Sequence, residues 1–295
     1  MKCPAILFTV CFLLNIPAVQ AYQGNHPPTI EDLNRDIAIN PNSANAYYDR
    51  GILWEKQSNL SKAILDFTQA IKIDPDDVGA YRARAGVYAS ANNLISAIAD
   101  YTKVLEITPQ EATIYYNRGV AFDAQGNTVQ AISDFTQAIK LNPDYIESYH
   151  NRALSWSKAG NLNQAIADLS KAISLDPKLA TAYYNRGIIY DKEGKPMDAI
   201  NDFSQAITLN PDYAEAYTNR GSAYVELEDY AQARFDFTNA IELNPQLAQG
   251  YNNRAICYYQ LRQFSKAWDD VRKAKELGYS VAPDFMATLK KGLDR

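Results

Sequence analysis

The chain has 295 residues, a formal net charge of −5, two histidines and three cysteines. The acidic balance argues against a general nucleic-acid or anionic-membrane binder, which needs a basic face to release counterions. With so few His and Cys, and no Cys/His metal spacing, phosphate-cradling glycine loop or nucleophile elbow, the sequence also argues against a metal site, a cofactor and catalysis.

Residues 1–21 read as a segment to be removed. Met1-Lys2 is a short positive start, residues 5–14 are apolar, and Val19-Gln20-Ala21 places small residues at −3 and −1 of a cut after Ala21. That is the layout of a secretory signal peptide, so export to the periplasm or beyond is expected, with no stable membrane span left after its removal. The apolar run is shorter than the ~18–20 residues a span requires. Cys11 lies inside it, out of place for lipidation. Cys3 and Cys11 would leave with the signal, and Cys257 alone cannot form an intramolecular disulfide. Residues 22–43 then combine a polar lead-in containing His26 with a half-repeat. TIEDLNRDIAINP, residues 29–41, matches the second helix of the later units (DFTQAIKLNP) and reads as an N-terminal capping helix.

Residues 44–281 divide into seven units of one 34-residue period, starting at Ala44, Val78, Ala112, Ile146, Ala180, Ala214 and Ala248. Apolar residues fall at the fourth, eighth and eleventh places, and again at the twentieth, twenty-fourth and twenty-seventh. Each set is one face of a helix, so every unit is a helix pair. Gly126-Asn127, Gly160-Asn161 and Gly194-Lys195 mark turns between the two. Pro75, Pro109, Pro143, Pro177, Pro211 and Pro245 end the second helices. The seventh unit instead stops at Gly278, a left-handed cap, and a C-terminal capping helix (282–295) is predicted to start near Pro283 and end at Gly292.

Tyr115, Gly119, Phe122, Ala131, Phe135, Ala138 and Pro143 of the third unit stand at consensus places of the tetratricopeptide repeat family, which the chain resembles over most of its length. The resemblance implies an all-α, right-handed superhelical solenoid of tandem helix–turn–helix repeats, with first helices lining a concave groove. It also implies a non-enzymatic scaffold holding a protein or peptide partner in that groove. Cell-envelope assembly or secretion is the setting expected from the signal. The alternative is a structural protein that self-assembles, as a homo-oligomer, through its ends or convex face.

The aromatic stripes at the fourth and eleventh places read as core. Arg at the seventh place and Asp at the twenty-third recur in every unit and read as a repeated ion pair between the two helices. The groove candidates lie on the first helices. Asn117, Asn151, Asn185, Asn219 and Asn253 occupy the sixth place of successive units; Asp49 and Ala83 precede them. Such amides can donate to and accept from a peptide backbone whatever its sequence, similar to the asparagine ladder of the O-linked N-acetylglucosamine transferases. Tyr48, Tyr116 and Tyr184 at the fifth place of alternate units, with Glu55, Asp123 and Asp191 at the twelfth, would give aromatic shelves with acidic rims; His150 is a further contact. Family members that clamp acidic C-termini use Lys at the fifth place and Asn at the ninth, and no unit has either.

Overall fold

The computed structural model describes residues 27–293. The expected signal peptide and His26 lie outside the described residues. Every regular element described is a helix, and the chain divides into two compact units, 1–159 and 160–295.

In the first unit, α1 (Ile30–Ile39) precedes three helix pairs: α2 (Ala44–Lys56) with α3 (Leu60–Ile73), α4 (Val78–Ser90) with α5 (Leu94–Ile107), and α6 (Ala112–Ala124) with α7 (Thr128–Leu141). The unit ends with α8 (Ile146–Lys158). The second unit begins with α9 (Leu162–Leu175). The pairs α10 (Ala180–Lys192) with α11 (Pro196–Leu209), α12 (Ala214–Glu226) with α13 (Tyr230–Leu243), and α14 (Ala248–Gln260) with α15 (Phe264–Glu276) follow, then α16 (Pro283–Leu293). Each unit is an all-α solenoid segment in which a helix packs on its pair partner and on the next repeat.

The helix ends follow from local chemistry. Ser43, Asn59, Asp77, Asn93 and Asp229 each accept a backbone N–H of the helix they precede, and Thr29 with Asp32 forms a capping box on α1. Each second helix before a proline ends two residues ahead of it, as at Leu141 before Pro143, because the residue preceding proline is driven out of the α region. The turn after each first helix needs one left-handed residue. Gly126, Gly160 and Gly194 supply it, and Ser58, Asn92, Glu228 and Arg262 adopt it without that freedom. Gly278 caps α15 at φ +86°, as its sequence context predicts. Gly292 does not end α16, which continues to Leu293. A Cβ there would lie 2.9 Å from the Phe264 ring, so this glycine serves close packing of the cap rather than termination.

The Arg–Asp expectation holds in six repeats. Arg50, Arg84, Arg118, Arg186, Arg220 and Arg254 each give Nε and Nη2 to the two oxygens of Asp66, Asp100, Asp134, Asp202, Asp236 and Asp270, at 2.7–2.8 Å. The third nitrogen does something the sequence reading missed. Nη1 reaches the preceding repeat's twenty-fifth place: Arg84 to Thr68, Arg118 to Thr102, Arg152 to Thr136, Arg220 to Ser204. Each such guanidinium also stacks on fourth-place and, in most repeats, eleventh-place rings, as Arg118 does on Tyr115 and Phe122. One side chain thus ties the two helices of a repeat together and fastens that repeat to the one before. The cap α1 joins the scheme by offering Asn34 to Arg50 at 2.6 Å. At the other end, the twenty-fifth place of the seventh repeat holds not a hydroxyl but Arg272, paired to Asp269. Another repeat stacked there would bring arginine against arginine.

Candidate functional site

First helices of neighbouring repeats touch within each unit, α2 with α4 and α6 with α8 in the first, α10 with α12 and α12 with α14 in the second, so each of these groups presents a shared strip. The fifth-place tyrosines do not stand on that strip as shelves. Tyr116 is 5% exposed and Tyr184 2%: each turns into the core, where Phe135 and Tyr145 meet Tyr116 at 5.9 and 5.0 Å, and Phe203 and Tyr213 meet Tyr184 at 5.9 and 4.6 Å. The thirty-fourth-place partners Tyr145 and Tyr213 make this possible by offering an apolar wall. The sequence signal was a Tyr at that place two repeats apart.

Burying a phenol requires a hydrogen-bond partner for its hydroxyl. The next repeat's sixth-place asparagine provides one: Asn151 Nδ2 donates to Tyr116 Oη at 2.9 Å and Asn219 Nδ2 to Tyr184 Oη at 3.0 Å. The five asparagines are therefore not one uniform ladder. Asn117, Asn185 and Asn253 are buried, with Asn253 accepting from Asn252 at 3.5 Å, whereas Asn151 and Asn219 are half-buried, oriented by tyrosine hydroxyls from below. In the first two repeats the partner of this pairing is missing. Ala83 stands where the asparagine would be, and the buried Tyr48 hydroxyl has no hydrogen-bond partner among the described residues. Tyr48 is half-buried against Phe67, and burial, followed by Asp77 and Asp49, pushes its phenol up to about 12.

The acidic line remains at the surface. Asp123 is half-buried and accepts from Ser155 Oγ at 3.1 Å and Lys158 Nζ at 2.5 Å. Asp191 is half-buried, and burial raises its carboxyl above the usual range. His150 is half-buried on α8. Burial alone pushes Asp49, at the sixth place of the first repeat, up to about 6. A folded value above the unfolded one means that stability is greatest below the ordinary carboxylate pKa, falls as pH rises from about 4 to about 6, and stays lowered above that. Asp49→Asn, which installs the residue of the later repeats, should therefore stabilise the chain at pH 7 by about 1 kcal/mol once the screening of a half-exposed group is allowed for. In urea melts the gain should vanish below about pH 4, where Asp49 is protonated in both states; a gain independent of pH would refute the burial argument.

Among the described residues no group of three or more His, Cys, Asp or Glu is placed to hold a metal ion, and no helix is long and apolar enough to cross a membrane. Cys257 is fully buried, which pushes its thiol up to about 12 and leaves it unreactive.

A tetratricopeptide repeat profile matches residues 44–77, 112–145, 180–213 and 214–247, and a second TPR repeat profile matches 87–126 and 157–194. The chain belongs to the tetratricopeptide repeat family. Arrays of these repeats are in general scaffolds for protein–protein interaction, and that is the class of this chain. No curated protein matches it. Among solved structures, a tetratricopeptide repeat protein from Parabacteroides merdae superposes with a TM-score of 0.62 at 20% identity, covering 86% of this chain and 99% of that one. YrrB, described as a TPR protein with an unusual peptide-binding site, gives 0.57 at 22% identity over 64% of this chain and 97% of its own. MamA gives 0.52 at 26% identity over 54% and 93%.

Proposed function

We propose that this tetratricopeptide array holds extended partner-protein segments along the first-helix strip within each of its units, and that it does so outside the cytoplasm, in cell-envelope assembly or secretion. The observation that carries the reading is the set of tyrosine–asparagine rungs. Asn151 and Asn219 are half-buried, and a buried hydroxyl fixes the direction of each amide before any ligand arrives. Ordering polar groups in advance lowers the entropic cost of binding. The signal-like layout of residues 1–21 supports the export part, and the peptide-binding site described for YrrB supports a peptide as the kind of ligand.

The test removes the rungs without leaving a buried hydroxyl unpaired: Tyr116→Phe, Asn151→Ala, Tyr184→Phe and Asn219→Ala in one chain. Once matching helical content is established, wild type and variant are compared by affinity capture from an envelope extract. A partner held by the wild type and lost by the variant is the expected result. Equal retention of every partner would move the binding site off the first helices.

A further inference from the structure

The net charge of the whole chain conceals a reversal inside the second unit. Residues 160–261 carry eight basic against thirteen acidic side chains, whereas residues 262–293 carry seven against four. Four of those seven gather at one edge of the C-terminal cap. A Cβ on Gly292 would lie 2.9 Å from the Phe264 ring, so the last turn of α16 rests on the start of α15. That contact brings Lys290 and Lys291, in the last turn of α16, to Arg262 and Lys266, which flank the start of α15; all four are exposed. Leu289 is fully buried, so Lys291, about 200° further round the same helix, points to solvent. The acids of the stretch are already committed: Asp269 to Arg272 at 2.6 Å, Asp270 to Arg254 at 2.8 Å and Glu276 to Lys273 at 3.4 Å. Asp284 lies in the first turn of α16, at the other end from its lysines.

Local chemistry does not ask for these cations. Lysines in the last turn of α16 complement its dipole, but Arg262 and Lys266 flank the start of α15, where a helix end is itself positive. Arg262 also takes the left-handed turn place, at φ +57°, that Gly126, Gly160 and Gly194 fill in other repeats. Lys266 is held over the Tyr258 ring at 5.6 Å, and among the described residues no carboxylate pairs with Arg262, Lys290 or Lys291. Like charges gathered at one edge repel one another unless an external anion answers them. Leu293, at the tip of α16 beside the two lysines, is 40% exposed. We propose that this edge of the C-terminal cap rests on an anionic phospholipid surface, with its cations among the phosphates and Leu293 at the boundary of head groups and acyl chains. Three of the four cations are lysines, point charges on flexible stems. They suit laterally mobile head groups better than one fixed carboxylate, for which a planar guanidinium fork is the better match. The same surface repels the acidic residues 160–261, so the contact turns the repeats of this unit away from the lipid. It is separate from the first-helix strip and does not need the strip to bind.

The experiment is co-sedimentation with vesicles of the chain beginning at Tyr22, which keeps every described helix and omits the apolar run of residues 5–14. Vesicles of phosphatidylcholine with about one-third phosphatidylglycerol should bind it at low salt and release it as salt rises past about 0.5 M, where charges are screened within a few ångströms. Vesicles of phosphatidylcholine alone should not bind it. Lys290→Gln with Lys291→Gln should lower the partition about twentyfold, about fivefold for each cation removed from an anionic surface. Arg262→Gln, which leaves α16 untouched, should lower it about fivefold by itself, so that a misfolded cap helix cannot mimic the result. Lys171→Gln with Lys178→Gln, the same change of charge at exposed positions of the same unit, should leave it within about twofold. Equal binding to neutral vesicles, no loss in the Lys290/Lys291 or Arg262 variants, or equal loss in the control would each overturn the proposal. So would a fluorescein-labelled octapeptide of alternating alanine and glutamate that binds this edge when anionic vesicles do not, which would assign the cations to an acidic protein segment.

Discussion

Arg220→Met should destabilise the chain by about 3–5 kcal/mol, the usual consequence of removing one partner from a buried ion pair. The Asp236 side chain left behind is 1% exposed, and burial already holds its carboxyl above the usual range against the opposing pull of Arg220. Deleting the guanidinium removes two short bonds to Asp236, the 2.9 Å bond to Ser204, and the packing on Tyr217. Two measurements separate charge from packing. The loss in Arg220→Met should shrink as pH falls, because a protonated Asp236 no longer carries an uncompensated charge. Adding Asp236→Leu should recover much of the stability at pH 7, since replacing both charges with apolar groups removes the desolvation cost on each side. A loss that is the same at pH 4 and pH 7 would mean that packing, not charge, is what Arg220 supplies. The effect should also spread to the preceding repeat, because stability in an array is a sum of repeat and interface contributions and this residue serves both.

The same side chain shows how far the sequence can be read. A residue that recurs every 34 positions reports its role in a helix pair, and so the Arg–Asp pairing and the proline-terminated helices were legible before any coordinates. The hydroxyl at the twenty-fifth place was equally periodic, from Thr68 to Thr238, yet its meaning depends on which nitrogen of the next arginine reaches it. That is a contact between repeats, which spacing within one repeat does not contain. The misplaced tyrosines follow the same rule. A fifth-place residue sits at the edge of the first helix, where it can face outward or turn under its neighbour. Tyr116 and Tyr184 turn under because Tyr145 and Tyr213 offer a wall, and because Asn151 and Asn219 satisfy their hydroxyls. Tyr48 keeps the ring position without either partner, having Asp77 and Ala83 at those places. Which face the first helices share therefore follows from the period of one repeat, but the chemistry of that face is written in a period of two.

Fold and the proposed binding surface meet at the junction between the helices of each repeat, since the rungs are only as well placed as the first helix that carries them. Gly187 lets α10 approach α11 so closely that a Cβ would lie 2.7 Å from Phe203 Cε1 and 2.9 Å from its Cδ1. Phe203 is 1% exposed and touches Tyr184, whose hydroxyl orients Asn219. Gly187→Ala should therefore destabilise the chain, with overpacking of about 1–3 kcal/mol only partly offset by the better helix propensity of alanine, about 1 kcal/mol. The chain itself suggests the compensation. Where the eighth place is alanine, the residue at the twenty-fourth is leucine in the fourth repeat and valine in the seventh, while the second repeat sets Ala85 against Tyr101 in place of phenylalanine. Phe203→Leu alone should leave a void, and Gly187→Ala with Phe203→Leu should be more stable than the sum of the two single losses predicts. Denaturant melts of the four chains give the coupling directly; additivity would mean that the glycine is not there for the ring. Partner capture by the single and double variants then asks whether displacing α10 disturbs the Asn219 rung, which a rigid first helix should prevent in the double variant and not in Gly187→Ala.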